Sequence, residues 1–86
     1  MATIIKTDGT EEKRGDLVLT DCQEIIGGWP KPIYLEDHIM LVDEDGIPKC
    51  LPINEKASMY AHQNIYGTVV WVGLAEGARI LGHQKE

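Results

Sequence analysis

The tightest constraint on this chain lies between Ile33 and Asn54. Two apolar runs there, Ile39-Met40-Leu41-Val42 and Ile47 to Ile53, flank Asp43-Glu44-Asp45-Gly46. An Asp-Gly pair between strand-like segments predicts a hairpin, because glycine takes positive φ without penalty and aspartate tolerates it. His38 to Asp43 is nearly all apolar and predicts a central strand, covered on both faces or on one face with a partner beneath. The second arm contains Pro48 and Pro52, which cannot donate to a ladder, so it predicts an edge strand or an irregular extended arm. It ends in Leu51-Pro52-Ile53-Asn54, where Asn54 is placed to cap a helix running to Ala61.

Before this stretch, Ala2 to Thr7 predicts a first strand, Asp8-Gly9 a turn, and Thr10 to Arg14 the returning arm. That arm is Thr10-Glu11-Glu12-Lys13-Arg14, and its charge suits an exposed sheet edge. Leu17 to Ile26 predicts a helix, with Leu19, Cys22 and Ile26 forming one apolar stripe. Thr20 with Gln23 is one candidate capping box, and Asp16 is an alternative cap one turn earlier. Gly27-Gly28 ends the helix, and Pro30 and Pro32 prevent it from restarting. Pro32 to Leu35 predicts a short strand, and Ile65 to Val72 a strand ended by Gly73. Residues 74–86 are expected to form a tail, in which Ala75 to Leu81 is one more helical turn or an extra strand.

At 86 residues the chain accommodates one domain, expected over residues 1–73. A chain this short buries roughly 60% of its unfolded surface, and self-association is one way to add buried area. An exposed apolar strand edge would favour a homodimer or a higher homo-oligomer. The net charge is −6, from 14 acidic and 8 basic residues, with the bases scattered among the acids. Duplex nucleic-acid binding depends on lysine and arginine neutralising phosphates, so no duplex nucleic acid is expected as a partner. A local anion pocket remains compatible with that charge. The start, Met-Ala-Thr-Ile-Ile-Lys, lacks the basic leader and long apolar core of a targeting or spanning segment. The expectation is a cytoplasmic protein with no membrane partner and with Cys22 and Cys50 reduced.

Several segments resemble a known family. Ile26-Gly27-Gly28-Trp29, Glu44-Asp45-Gly46, Leu51-Pro52-Ile53-Asn54-Glu55-Lys56-Ala57 and Tyr66-Gly67-Thr68-Val69-Val70 are similar to the DUF3846 family, a small domain of unknown function found widely in bacteriophages and mobile elements. Its members carry Gly-Gly after the first helix, an acidic-Gly turn, Leu-Pro-x-Asn-x-x-Ala and a final Gly-led strand. Where the family has Tyr-Ile-Glu after Gly-Gly, this chain has Trp29-Pro30-Lys31, so the acid is replaced by a lysine. The resemblance implies an α+β fold, a phage-type origin and no established catalytic activity.

The residues themselves argue against most chemistries. Cys22, Cys50, His38, His62 and His83 lack the paired spacing of a structural zinc site. Aligning Gly46 with the invariant glycine of an EF-hand loop puts Leu41 and Pro52 at ligand positions, which neither side chain can fill. Glu36, Asp37, Asp43, Glu44 and Asp45 fall in turns rather than in a paired-carboxylate cleft. No catalytic residue, metal or cofactor is expected. Recognition groups are easier to find. Trp29 and Lys31 follow a rigid Gly-Gly turn, Lys49 and Lys56 flank the Asn54 helix start, and Tyr60, Trp71 and Arg79 supply further aromatic and basic groups.

These readings converge on an α+β domain: a small antiparallel sheet of hairpins with two short helices packed on it. The functional expectation is a small phage-type binding protein, a host-defence antagonist that sequesters a small anionic or nucleotide ligand. Stacking would fall to Trp29, Tyr60 or Trp71, and phosphate contacts to Lys31, Lys49 or Arg79. The alternative is an inhibitor that covers a host protein, with its acidic exterior and strand edges as the contact.

Overall fold

The computed structural model describes residues 2–82. The elements run β1 (Ala2–Ile5), β2 (Glu11–Arg14), α1 (Leu19–Ile26), β3 (Pro30–Tyr34), β4 (His38–Asp43), α2 (Glu55–Ala61), β5 (Val69–Gly73) and α3 (Leu74–Gly82). The five strands form one antiparallel sheet in the order β2-β1-β5-β4-β3. This is the α+β class expected, with a third helix added.

Alternation along the strands sorts the apolar residues into two cores. Ala2, Ile4, Ile39, Leu41, Val70 and Val72 face one way, where they meet Cys22 and Ile26 of α1 and Ile80 of α3. Ile5, Met40, Val42 and Val69 face the other way, against Ala57 and Ala61 of α2. The sheet is thus covered on both sides, and β4 is buried along nearly its whole length, as its continuous apolar run predicts.

The Asp8-Gly9 turn and the α1 terminus form as expected. Gly9 has φ +91°, and Gly27, at φ +86°, donates its N–H to Gln23 O at 2.8 Å. The helix start differs. Val18 stands at the cap position, with its N–H donated to Asp21 Oδ2 at 3.2 Å. Thr20 and Asp16 are not the caps, because Leu17 is drawn into the core and sets the helix register.

Two larger expectations are corrected. First, Asp43-Glu44-Asp45-Gly46 does not join β4 to a returning strand. Both sides of β4 are already occupied, by β3 and β5. The chain instead leaves through consecutive turns closed by Gly46 N–H to Asp43 O, Lys49 N–H to Asp45 O and Cys50 N–H to Ile47 O. Of the expected second arm, only Ile53 makes a bridge, to Tyr66. Second, the domain does not end at Gly73. Helix α3 follows β5 directly and lays Ile80 into the core formed with Leu17 and Cys22. Gly77 lets this helix approach β4 closely: a Cβ there would lie 2.7 Å from Ile39 Cδ1 and 3.1 Å from Val72 Cγ2. Residues 83–86, including His83 and the rest of the expected tail, lie outside the described residues.

The free sheet edges are guarded by two different devices. In the β3–β4 ladder, Leu35 N–H donates to His38 O and Glu44 N–H to Trp29 O. The odd-numbered positions of β3 therefore point their N–H groups at β4, and the even-numbered ones point theirs outward. Pro30 and Pro32 occupy two of those outward positions, where a missing donor costs the sheet nothing and denies one to an incoming strand. The other edge, β2, is the charged Glu11–Arg14 segment, where Lys6 and Arg14 both pair with Glu12.

Candidate ligand-binding cleft

The α2 face of the sheet is only partly covered, because α2 is short. On the β3 side of that helix lies a cleft of about 450 Å³ between the sheet, the turns after β4 and the loop before β5. Ile33, Val42 and Ile65 contribute its apolar surface, and Lys31, Glu44 and Tyr66 are among its polar groups. Lys31 and Ile33 both enter from β3, because residues two apart in a strand share a face. Among the described residues, no ion pair or hydrogen bond occupies the Lys31 ammonium.

The eight residues expected to bind ligand do not converge on one site. Trp29 is 55% exposed and directly precedes β3. Lys49 is used internally: its Nζ donates to Gly27 O at 2.9 Å and to Asp43 Oδ2 at 3.0 Å. It thereby balances a carboxylate whose side chain is 1% exposed and satisfies the carbonyl end of α1. Lys56 is likewise held, by Gly9 O and by Glu11 Oε2, each at 3.1 Å. That contact is the main reason the Glu11 carboxyl titrates below the ordinary carboxylate range.

Asn54 is corrected from a ligand-binding residue to a structural one. It caps α2 as expected, with Oδ1 accepting Ala57 N–H at 3.0 Å. Its Nδ2 donates to Ile5 O and to Gly67 O, each at 2.9 Å, and the residue is fully buried. Its side chain thus has no polar atom left for a ligand. Arg79 sits on the opposite side of the sheet from Trp71, on α3, where it donates to Leu17 O at 2.8 Å. It cannot act with the aromatic residues. Tyr60 and Trp71 do come together, edge to face at a centroid distance of 4.9 Å, but outside the Lys31 cleft.

Glu44, Gln63, Asn64 and Tyr66 line the cleft without having been singled out in the sequence. Gln63, Asn64 and Tyr66 belong to the segment around the Ile53–Tyr66 bridge, which the strand expected from Ile65 concealed, and Glu44 was read only as part of an acidic turn. The two cysteines separate by environment. Burial pushes the Cys22 thiol up to about 11, whereas Cys50 is exposed on the turn after β4. A disulfide-exchange reagent at about pH 8 is expected to modify one thiol rapidly and the other only after unfolding, since the thiolate is the reactive form. Equal rates for both thiols would contradict this arrangement.

Among the described residues, no group of three histidine, cysteine or acidic side chains is placed to hold a metal ion. None of the helices there is long and apolar enough to cross a membrane. No curated protein and no solved structure matches the chain. The segments quoted above do have a counterpart. Leu51 packs on Gly67, where a Cβ would lie 2.8 Å from Leu51 Cδ1, Pro52 O accepts Gly67 N–H, and Asn54 bridges Ile5 of β1 to Gly67, two residues before β5. The family model matches residues 1–84, so the chain belongs to DUF3846, a domain of unknown function.

Proposed function

We propose that this protein binds a small anionic ligand of the nucleotide class in the Lys31 cleft and acts by withholding that ligand, not by transforming it. The observation that carries the proposal is Lys31, without a partner among the described residues, lining a cleft of about 450 Å³ with apolar surface beside it. That volume falls within the usual range for small-molecule sites, about 300–1,000 Å³. Asp43, which also borders the cleft, is already balanced by Lys49. Glu44 is then the remaining acid on the wall. A simple anion gains nothing from it, but a nucleotide can place a phosphate on Lys31 and a donor edge of its base on Glu44. Tyr66 is half-buried and offers a ring for stacking. The phage-type resemblance makes a host nucleotide signal the first class to test, by analogy alone.

The test is a thermal-shift panel of linear and cyclic nucleotides on the intact chain and on Lys31→Gln. A ligand at 100 times its dissociation constant stabilises by about 2.7 kcal/mol, which for a domain this size is a shift of roughly 10–20 °C. Lys31→Gln is expected to remove that shift while leaving the unliganded midpoint unchanged. If no nucleotide moves the midpoint, the proposal is wrong.

A second reading, in which the protein covers a host factor, draws support from Trp29, Tyr34 and Ile47, which are large, apolar and exposed on an acidic molecule. The prolines of β3 direct such a contact to side chains rather than to strand addition. Size-exclusion chromatography of the protein alone would show whether these residues serve self-association instead.

A further inference from the structure

We propose that the corner between Trp71 and Tyr60 is a binding site for an organic cation, an alkylammonium or guanidinium group. The site goes beyond the function proposed above, since it shares no lining residue with the Lys31 cleft and calls for the opposite charge. It lies on the same sheet face, on the β1 side of α2. Trp71 sits mid-sheet, paired with Thr3 on one side and Met40 on the other. Helix α2 covers Ile5, Met40 and Val69 but leaves the indole half-buried. Tyr60, in the last turn of α2, stands at 77° to it with centroids 4.9 Å apart. The His38 ring lies 5.0 Å from the indole but does not border the cavity.

The cavity in this corner is about 210 Å³ and is bordered by Thr3, Ile5, Glu11, Tyr60 and Trp71. It is smaller than a site for a whole drug-sized molecule, about 300 Å³ at least, and so suits a head group. Two aromatic rings and a carboxylate bordering one small cavity are the kinds of group that hold quaternary ammonium ions. Glu11 Oε2 accepts Tyr60 O–H at 3.2 Å and faces Lys56 at 3.1 Å. The net charge of −6 favours the approach of cations.

Among the described residues, Lys56, in contact with Glu11, and Lys13, which faces Thr3 across the β1–β2 ladder, are cations that oppose the site. Their presence gives the proposal signs that can be tested. Removing Lys56 should tighten cation binding, and removing the Glu11 charge should weaken it.

The experiment titrates the full chain, in a Trp29→Phe background so that fluorescence reports Trp71 alone, with choline, its neutral isostere 3,3-dimethylbutanol, and N-acetyl-arginine methylamide. Saturable binding of a cationic probe is expected, with the neutral isostere weaker by about tenfold or more. Glu11→Gln should weaken cation binding about tenfold and Lys56→Met should strengthen it about threefold, as expected for close charges near a surface. Tighter binding of choline would point to a free quaternary amine as the source, and tighter binding of the arginine derivative to a basic side chain of a partner. Equal affinity for the neutral isostere, reversed signs in the two variants, or no saturation by either cation would each overturn the proposal.

Discussion

Asn54→Ala is expected to lower stability by about 3 kcal/mol, a fall in Tm of roughly 12–24 °C for a domain of this size. The loss has two sources. The cap to Ala57 N–H contributes about 1 kcal/mol, and the carbonyls of Ile5 and Gly67 lose their shared donor where burial denies them water, at about 1 kcal/mol or more each. The diagnostic substitution is Asn54→Asp. Aspartate caps a helix as well as asparagine does, but its carboxylate would face the two carbonyls that Nδ2 now serves. Asn54→Asp should therefore be at least as damaging as Asn54→Ala by thermal or urea unfolding. An aspartate variant within about 0.5 kcal/mol of the parent would mean that capping is the whole role of this residue.

The Asp43–Lys49 pair carries the second large effect, and the effect is asymmetric. Lys49→Met strands a carboxylate that is 1% exposed, with the Asp45 N–H at 2.7 Å as its remaining partner. The cost is about 2 kcal/mol, below the ~3–5 kcal/mol of a fully buried pair because the lysine end is partly solvated. Asp43→Asn removes the other partner, but the ammonium is 40% exposed and keeps the Gly27 carbonyl, so about 1 kcal/mol is expected. The double variant should cost less than the sum, because removing both charges leaves neither one stranded. If Asp43→Asn proves the more harmful of the two singles, burial of the carboxylate is not what sets the energy of this pair. Gly28 belongs to the same arrangement, since a Cβ there would lie 2.9 Å from Lys49 Nζ and 3.0 Å from Asp43 Oδ1.

Asn54 and Lys49 began as candidates for contact with ligand, and the polar atoms of both side chains are taken by internal partners. A residue type and its neighbours in sequence say what a side chain can do, whereas its partners decide what is left for it to do. Lys31, Lys49 and Lys56 are alike in the sequence. Only the fold brings Lys49 to Asp43 and Lys56 to Glu11, 45 positions away (56 − 11), and leaves Lys31 beside a cleft. The same holds for the aromatic residues: Tyr60 and Trp71 meet only because α2 packs over β5.

Local chemistry was enough to determine the elements whose causes are local. The Asp8-Gly9 hairpin, the left-handed glycine after α1, the cap at Asn54 and the buried run of β4 each follow from residues a few positions apart. Helix α3 was half legible, because Leu74, Gly77 and Ile80 keep a helical period but put a glycine where that period calls for bulk. The glycine makes sense only against Ile39 and Val72, on which the helix packs directly. What only tertiary structure decided was pairing: that β4 joins β3 and β5 rather than the arm after Gly46, and which charged groups neutralise one another. A strand pair or an ion pair depends on the distance between segments remote in sequence. That distance is a property of the packed molecule, absent from any short stretch of the chain.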